Sequence, residues 1–403
     1  MRTRFTSSRV LTILALSLTA VFLMSAKGEA DKPQKGLNPE AGAELVASGV
    51  TKYLRSDEFA GFTPVNSVDV GDGWTKHTFD PDGGDGPICI AGTPYSVFTR
   101  AGKKDKLLIF TQGGGACWQD FYFCNILSED QEPPTPRVGI WDFDSKDNVF
   151  ADYSIVYMPY CDGSTFGGDN AVVDPNFPFG PVRFHRGLRN LSAGMDLAKA
   201  TFPRASKITV AGASAGGVGA AAFAPFLARF EYGNNKKLTV FNDAGPIAVN
   251  LLDSGAVAAR AADWLFGQFY PESCTECDDL GQQTAIVDWR LANDSTIRES
   301  FYETDADLTN RFFTSSPTQL FYREEVVLPN HDPLHYDYPD RYKRFIVTAD
   351  TSHTALQSPL FYSQTANGVP LNEWTAEFVW DGDGDSQGDD IWIDIVEDFV
   401  PVR

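Results

Sequence analysis

Histidine is scarce in this chain, five in 403 residues. Any reaction that needs an imidazole base must draw on His77, His185, His331, His335 or His353. Basic residues are also short, 33 Lys and Arg against 54 Asp and Glu, for a net charge of −21. That balance excludes nucleic acid as a partner, because gripping a phosphate backbone takes a basic surface. It also opposes a polyanionic substrate unless the groove that receives it is locally neutral or basic. After residue 30 no run is long and apolar enough to cross a membrane. Internal repeats and long Pro- or Ser-rich linkers are missing too, so one domain is the simplest organisation.

The first thirty residues differ from the rest. Arg2, Arg4 and Arg9 precede an apolar run from Val10 to Met24, and Ser25, Ala26, Gly28 and Ala30 follow. A basic start, a run too short to span a bilayer comfortably and small residues for cleavage predict a secretory signal peptide over residues 1–30. The run has no cysteine, which argues against a lipoprotein anchor. Residues 31–50 are expected to be a flexible segment, and 51–403 a single catalytic domain. Cleavage after residue 30 removes four basic residues and one acidic one, moving the net charge from −21 to −24. The product is expected outside the cytoplasm, extracellular or periplasmic, with no further membrane contact and as a monomer. In that setting six cysteines read as three disulfides, although six permit fifteen pairings. Local spacing favours Cys117–Cys124 and Cys274–Cys277, which leaves Cys89–Cys161.

Short apolar runs punctuate the domain: Leu107 to Phe110, Ser154 to Met158, Lys207 to Val210, Leu238 to Phe241 and Arg344 to Thr348. They read as buried strands of a parallel sheet. Helical patterns lie between some of them, Leu188 to Ala200 and an Ala-rich stretch from Ala215 to Phe230. Strand–helix alternation predicts an α/β fold with a doubly wound, mostly parallel sheet. Residues 118–150 and 160–183 read as long irregular loops, the kind that carry a site at strand C-termini.

Ile208-Thr209-Val210 runs into Gly212-Ala213-Ser214-Ala215-Gly216 and then into the Ala-rich helix. This is the strand–turn–helix setting of a G-x-S-x-G nucleophile elbow, found in α/β-hydrolases. The turn strains the serine and leaves no room for side chains two positions to either side, hence Gly212 and Gly216. Ser214 is therefore the expected nucleophile and the Ala215 N–H an expected oxyanion donor. Ahead of it, the strand ending at Phe110 leads to Gly113-Gly114-Gly115, whose backbone N–H groups can face a ligand without Cβ interference. No Lys-Ser/Thr follows, which weakens a phosphate-loop reading.

In such folds the order is Ser, acid, His. His353 sits in Ala349-Asp350-Thr351-Ser352-His353, the loop after the last strong strand. His77 and His185 precede the elbow, and His331 and His335 flank Pro333, which argues against a metal-binding helix and predicts loop residues. For the acid, Ile297 to Tyr302 alternates like a strand and Asp305 follows it. Asp305 is the expected triad acid, with Asp307 close behind; Asp243 is a third candidate, better suited to supporting the elbow.

These segments, with Gly113-Gly114-Gly115-Ala116-Cys117-Trp118, Tyr160-Cys161-Asp162-Gly163-Ser164, Arg186-Gly187-Leu188-Arg189-Asn190 and His353-Thr354-Ala355-Leu356, resemble the pectin acetylesterase family of carboxylesterases. The resemblance spans residues 89 to about 373. It implies a Ser214–His353–Asp305 esterase with oxyanion donors at Gly114, Gly115 and Ala215, and neither metal nor organic cofactor. The chain departs from many members in having Gln112 and Ala116 where they have Glu and Trp. The implied substrate is an O-acetyl ester on a polysaccharide such as pectin; a longer acyl ester or a non-catalytic carbohydrate-binding role are the alternatives. Residues 381–390 place Asp at alternate positions like a calcium loop. Trp392 at the twelfth position and glycine at the eighth break that pattern, so a flexible acidic loop is expected.

Overall fold

The computed structural model describes residues 36–127, 132–134, 137–246, 254–277, 284–380 and 391–402. The proposed signal segment and the acidic 381–390 stretch lie outside the described residues.

Ten strands form one sheet: β1 Asn66–Gly71, β2 Trp74–Thr78, β3 Ser96–Arg100, β4 Lys103–Thr111, β5 Tyr153–Met158, β6 Lys207–Ala213, β7 Lys237–Asp243, β8 Arg298–Thr304, β9 Tyr342–Val347 and β10 Ile395–Val396. Their spatial order is β1-β2-β3-β5-β4-β6-β7-β8-β9-β10. The first three pair antiparallel, and every pairing from β5 onward is parallel. The expected mostly parallel α/β sheet is thus borne out. The antiparallel edge escaped notice because β1 is polar and exposed along its whole length.

The central strands are apolar on both faces because both are covered. Leu107 and Ile109 of β4 point into one core with Val156, Met158, Val210 and Val240. Leu108 and Phe110 point into the other with Ile155, Tyr157, Ala211 and Phe241. That division follows the two-residue period of a strand.

Helices α2 Gly187–Thr201, α3 Ala215–Ala221 and α4 Ala224–Tyr232 belong to the first core. The Ala-rich stretch expected as one helix is two, broken at Ala222 with Pro225 opening the second. Proline has no N–H to give an earlier carbonyl. The carbonyls freed at the break, Ala221 and Ala222, accept instead from the buried Arg290 guanidinium, which also pairs with Glu299 at 2.7 Å.

Two further expectations are corrected. Residues 39–48, expected within a flexible segment, form helix α1 Pro39–Ser48. Asn38 caps it, accepting from the Glu40 N–H, and Ala41 and Leu45 are buried. His331 and His335 lie on a helix, Leu328–Asp337, despite Pro333. His331 is held by stacking on Phe301 with ring centroids 3.7 Å apart, and both histidines engage Tyr342, one its hydroxyl and the other its carbonyl. The cysteines pair as spacing suggested: Cys89–Cys161, Cys117–Cys124 and Cys274–Cys277.

Candidate active site

Strand β6 delivers Ser214 to a sharp turn and α3 leaves from it. Ser214 has φ 56° and ψ −125°, a strained conformation for a residue with a side chain. The turn packs against the end of β4: a Cβ on Gly212 would run into the Gly216 carbonyl, and one on Gly216 into that of Thr111. The Thr111 hydroxyl donates to the Gly216 carbonyl at 2.7 Å, tying the two together.

The glycine loop passes directly over the serine; a Cβ on Gly113 would stand 2.8 Å from that of Ser214. Asn125 fixes how this loop faces. Its N–H donates to the Gly114 carbonyl at 2.8 Å, and its side-chain amide to the Gly113 carbonyl at 3.4 Å. Across a trans peptide the next N–H points the opposite way. The N–H groups of Gly114 and Gly115 therefore face away from Asn125. Ala215 opens α3, so its N–H has no acceptor within the helix. Asn125 carried no sequence signal of its own; it works because the Cys117–Cys124 hairpin brings it back beside the glycines.

His353 lies in the loop after β9, and its Nδ1 meets Asp307 Oδ2 at 2.6 Å. Asp305, the expected partner, does not touch it. The Asp305 carboxylate accepts from Gln319, Arg323, the Thr348 hydroxyl and the Ala349 N–H, at 2.7–3.0 Å. Asp305 still continues the ladder beyond β8, its N–H donating to Val347, and so its side chain braces the start of the histidine loop. Asp307, two residues on, has left the ladder and caps the helix Leu308–Phe313: Oδ1 accepts the Asn310 N–H at 2.8 Å, which leaves Oδ2 for the histidine. A carboxylate at Nδ1 fixes the proton there and frees Nε2 as a base.

A neighbouring carboxyl is shifted upward. Burial, and next the charge of Asp307, hold Glu303 well above the ordinary carboxylate range, although Tyr322, Asn310 and the Thr304 N–H all donate to it. Asp243 links the halves of the site. Its carbonyl accepts the Ser214 N–H at 2.8 Å, and its carboxyl accepts the N–H groups of Ala355 and Leu356, just past His353. The supporting role expected for Asp243 is what its contacts describe. The remaining early histidines are engaged elsewhere, His77 with Ser67 and Thr99, His185 with Arg183 and the Asp162 carbonyl.

Burial pushes Asp243 up to about 7 and Asp162 up to about 6, against an ordinary 3.8. Such groups favour folding while protonated, so stability declines as pH rises from the unfolded value through the folded one. Burial pushes His185 and His331 down to about 3, which costs stability only below about pH 6.5. Above pH 6.5 the carboxyls act unopposed by the histidines. Thermal melts should show a lower Tm at pH 8 than at pH 6.5; a higher one at pH 8 contradicts these assignments.

A cavity of about 80 Å³ opens at Ser214, walled by Gly115, Trp118, Ala215, Val218, Trp264 and Phe313 among others. Beside it Phe121 stacks on Trp118, and Phe123 and Phe312 complete a half-exposed aromatic shelf.

Fold and site together define the class, an α/β-hydrolase with a serine on the strand–helix turn. The family model for pectinacetylesterase matches residues 78–255, which bears out the resemblance seen in the motifs and supports an ester hydrolase. In three dimensions the chain is similar to the Wnt deacylase Notum from Drosophila, at 18% identity and a TM-score of 0.56, covering 72% of this chain and 89% of that one. At that identity the likeness concerns the fold. No curated protein matches the sequence.

Proposed function

We propose that this chain is a secreted serine ester hydrolase that removes short acyl groups, acetyl foremost, from a polysaccharide. The observation that carries the reading is the pair of linkages at Asp243, whose backbone carbonyl holds Ser214 and whose buried carboxyl holds the His353 loop, while Asp307 orients the imidazole.

In this mechanism His353 Nε2 takes the Ser214 proton as Oγ attacks the ester carbonyl. The oxyanion forms against the N–H groups of Gly114, Gly115 and Ala215, each such donor contributing about 2.7–4 kcal/mol of transition-state stabilisation. His353 returns the proton to the departing alcohol oxygen. It then deprotonates a water that attacks the acyl-Ser214 ester, releasing the carboxylic acid and the free serine. No step calls for a metal or cofactor. The disulfides fit an oxidising compartment.

The small cavity at Ser214 favours acetyl over long chains. The aromatic shelf is the one observation favouring the alternative, a longer acyl chain laid along Phe121 and Phe312. A nitrophenyl ester series separates them: kcat/KM is expected to fall by at least tenfold from acetate to decanoate. A rise along the series transfers the assignment to long acyl esters, and no hydrolysis anywhere leaves a non-catalytic protein.

A further inference from the structure

Two consecutive residues with side chains stand in the left-handed region beside the Ser214 cavity, Thr165 with φ 52° and Phe166 with φ 62°, and Thr165 forms part of the cavity wall. For a β-branched residue this conformation is an outlier, because the Cβ substituents crowd the backbone; glycine or asparagine would take it at less cost. The surroundings enforce it. The Thr165 N–H donates to the Tyr160 hydroxyl at 3.0 Å, and the buried Asp162 carboxyl accepts from the Ser164 N–H, the Ser164 hydroxyl and the Phe166 N–H. The turn then lies against α3, the helix that leaves from the nucleophile. A Cβ on Gly219 would stand 2.8 Å from the Phe166 ring and 3.1 Å from the Thr165 carbonyl. Thr165 is thus seated beside the second turn of α3, a little past the reacting centre.

Other polar groups on this wall are spent within the protein. The Asn310 amide donates to the Ala244 carbonyl and to Glu303, and the Thr314 hydroxyl donates to the Asn310 carbonyl. The Thr165 hydroxyl has no hydrogen bond among the described residues and is not sealed from solvent, so it is open to whatever fills the cavity. Backbone strain held in place at a reaction site marks a use for the side chain that it presents. A hydroxyl can both donate and accept. In an acetyl ester the acyl half offers only its carbonyl oxygen, which the Gly114, Gly115 and Ala215 N–H groups take, and the departing oxygen is met by His353. The threonine hydroxyl is therefore left to read the rest of the alcohol.

We infer that the Thr165 hydroxyl hydrogen-bonds a free hydroxyl on the carbon next to the esterified one, so that the preferred substrate is a singly acylated vicinal diol. That hydroxyl is the nearest group on the alcohol that can reach past the departing oxygen toward the second turn of α3. A diol acylated on both oxygens, or an alcohol without a neighbouring hydroxyl, leaves the threonine unpaired in a filled cavity, a loss of roughly tenfold for one neutral hydrogen bond. This inference rests on the esterase reading above and adds a specificity residue to it.

The test compares wild type, Thr165→Val and Thr165→Ser on hydroxyethyl acetate, on propyl acetate, which carries a methyl group in place of the hydroxyl, and on nitrophenyl acetate. Valine keeps the branched shape and removes only the hydroxyl. The expected result in Thr165→Val is a fall of about tenfold in the ratio of kcat/KM for the hydroxyethyl ester to that for the propyl ester, carried mostly by KM, with nitrophenyl acetate hydrolysis little changed. Thr165→Ser should restore the ratio. The wild type should favour the hydroxyethyl ester about tenfold more than hydroxide ion does in solution, a measurement that needs no variant to fold. An unchanged ratio in Thr165→Val, or a wild-type preference equal to that of hydroxide, overturns the role of Thr165 and leaves the esterase intact. Absence of nitrophenyl acetate hydrolysis by the wild type overturns both.

Discussion

Asp307→Asn is expected to lower kcat on nitrophenyl acetate by about ten-thousandfold with little change in Tm, the scale seen when a triad acid loses its charge. The reason is the bond at His353 Nδ1. An amide there can present its NH2 to the ring and favour the wrong tautomer, with Nε2 protonated and useless as a base. Asp305→Asn should behave differently. It removes the charge opposite the nearly buried Arg323, an event that costs about 3–5 kcal/mol. It leaves the histidine bond untouched. The signature is a lowered Tm with a kcat drop far smaller than that of Asp307→Asn. Urea melts beside steady-state rates make the comparison, and the reverse pattern returns Asp305 to the triad.

Ser214→Ala should abolish turnover, with a loss on the order of 10⁶ in kcat, since a triad without its nucleophile retains only binding and oxyanion stabilisation. Alanine should fold here. The strain at φ 56° is set by the β6–α3 turn and the Ser214 N–H still reaches the Asp243 carbonyl. Adding His353→Ala to Ser214→Ala should cost almost nothing more, because residues that act as one unit are not additive. Full multiplication of the two effects would mean that the residues act separately.

Much of the sheet was legible because the part of a strand covered on both faces is apolar, as Leu107 to Phe110 of β4 and Ile155 to Met158 of β5 are. Ser214 was legible because its turn needs glycines at fixed offsets. The acid was harder to read. Asp305 and Asp307 both follow β8, and nothing in composition says which residue ends the ladder. The usable signal was local: an Asp immediately before a helix, with its N–H acceptor role at Asn310, marks a cap, and the cap is what turns Asp307 toward His353. Asn125 and Glu303 could not be read from the sequence, since their roles depend on contacts that only the folded loops create. Helix α1 was missed for a related reason. Its ten residues bury just Ala41 and Leu45, too few to write a clear period.

The central claim is that Ser214 is the nucleophile oriented through His353 and Asp307. Labelling with a fluorophosphonate, followed by peptide mapping, tests it most directly. One phosphonyl group per chain on Ser214, formed in step with loss of esterase activity and strongly slowed in Asp307→Asn, is the expected result. Labelling at another residue, or full activity after Ser214 is labelled, would contradict it.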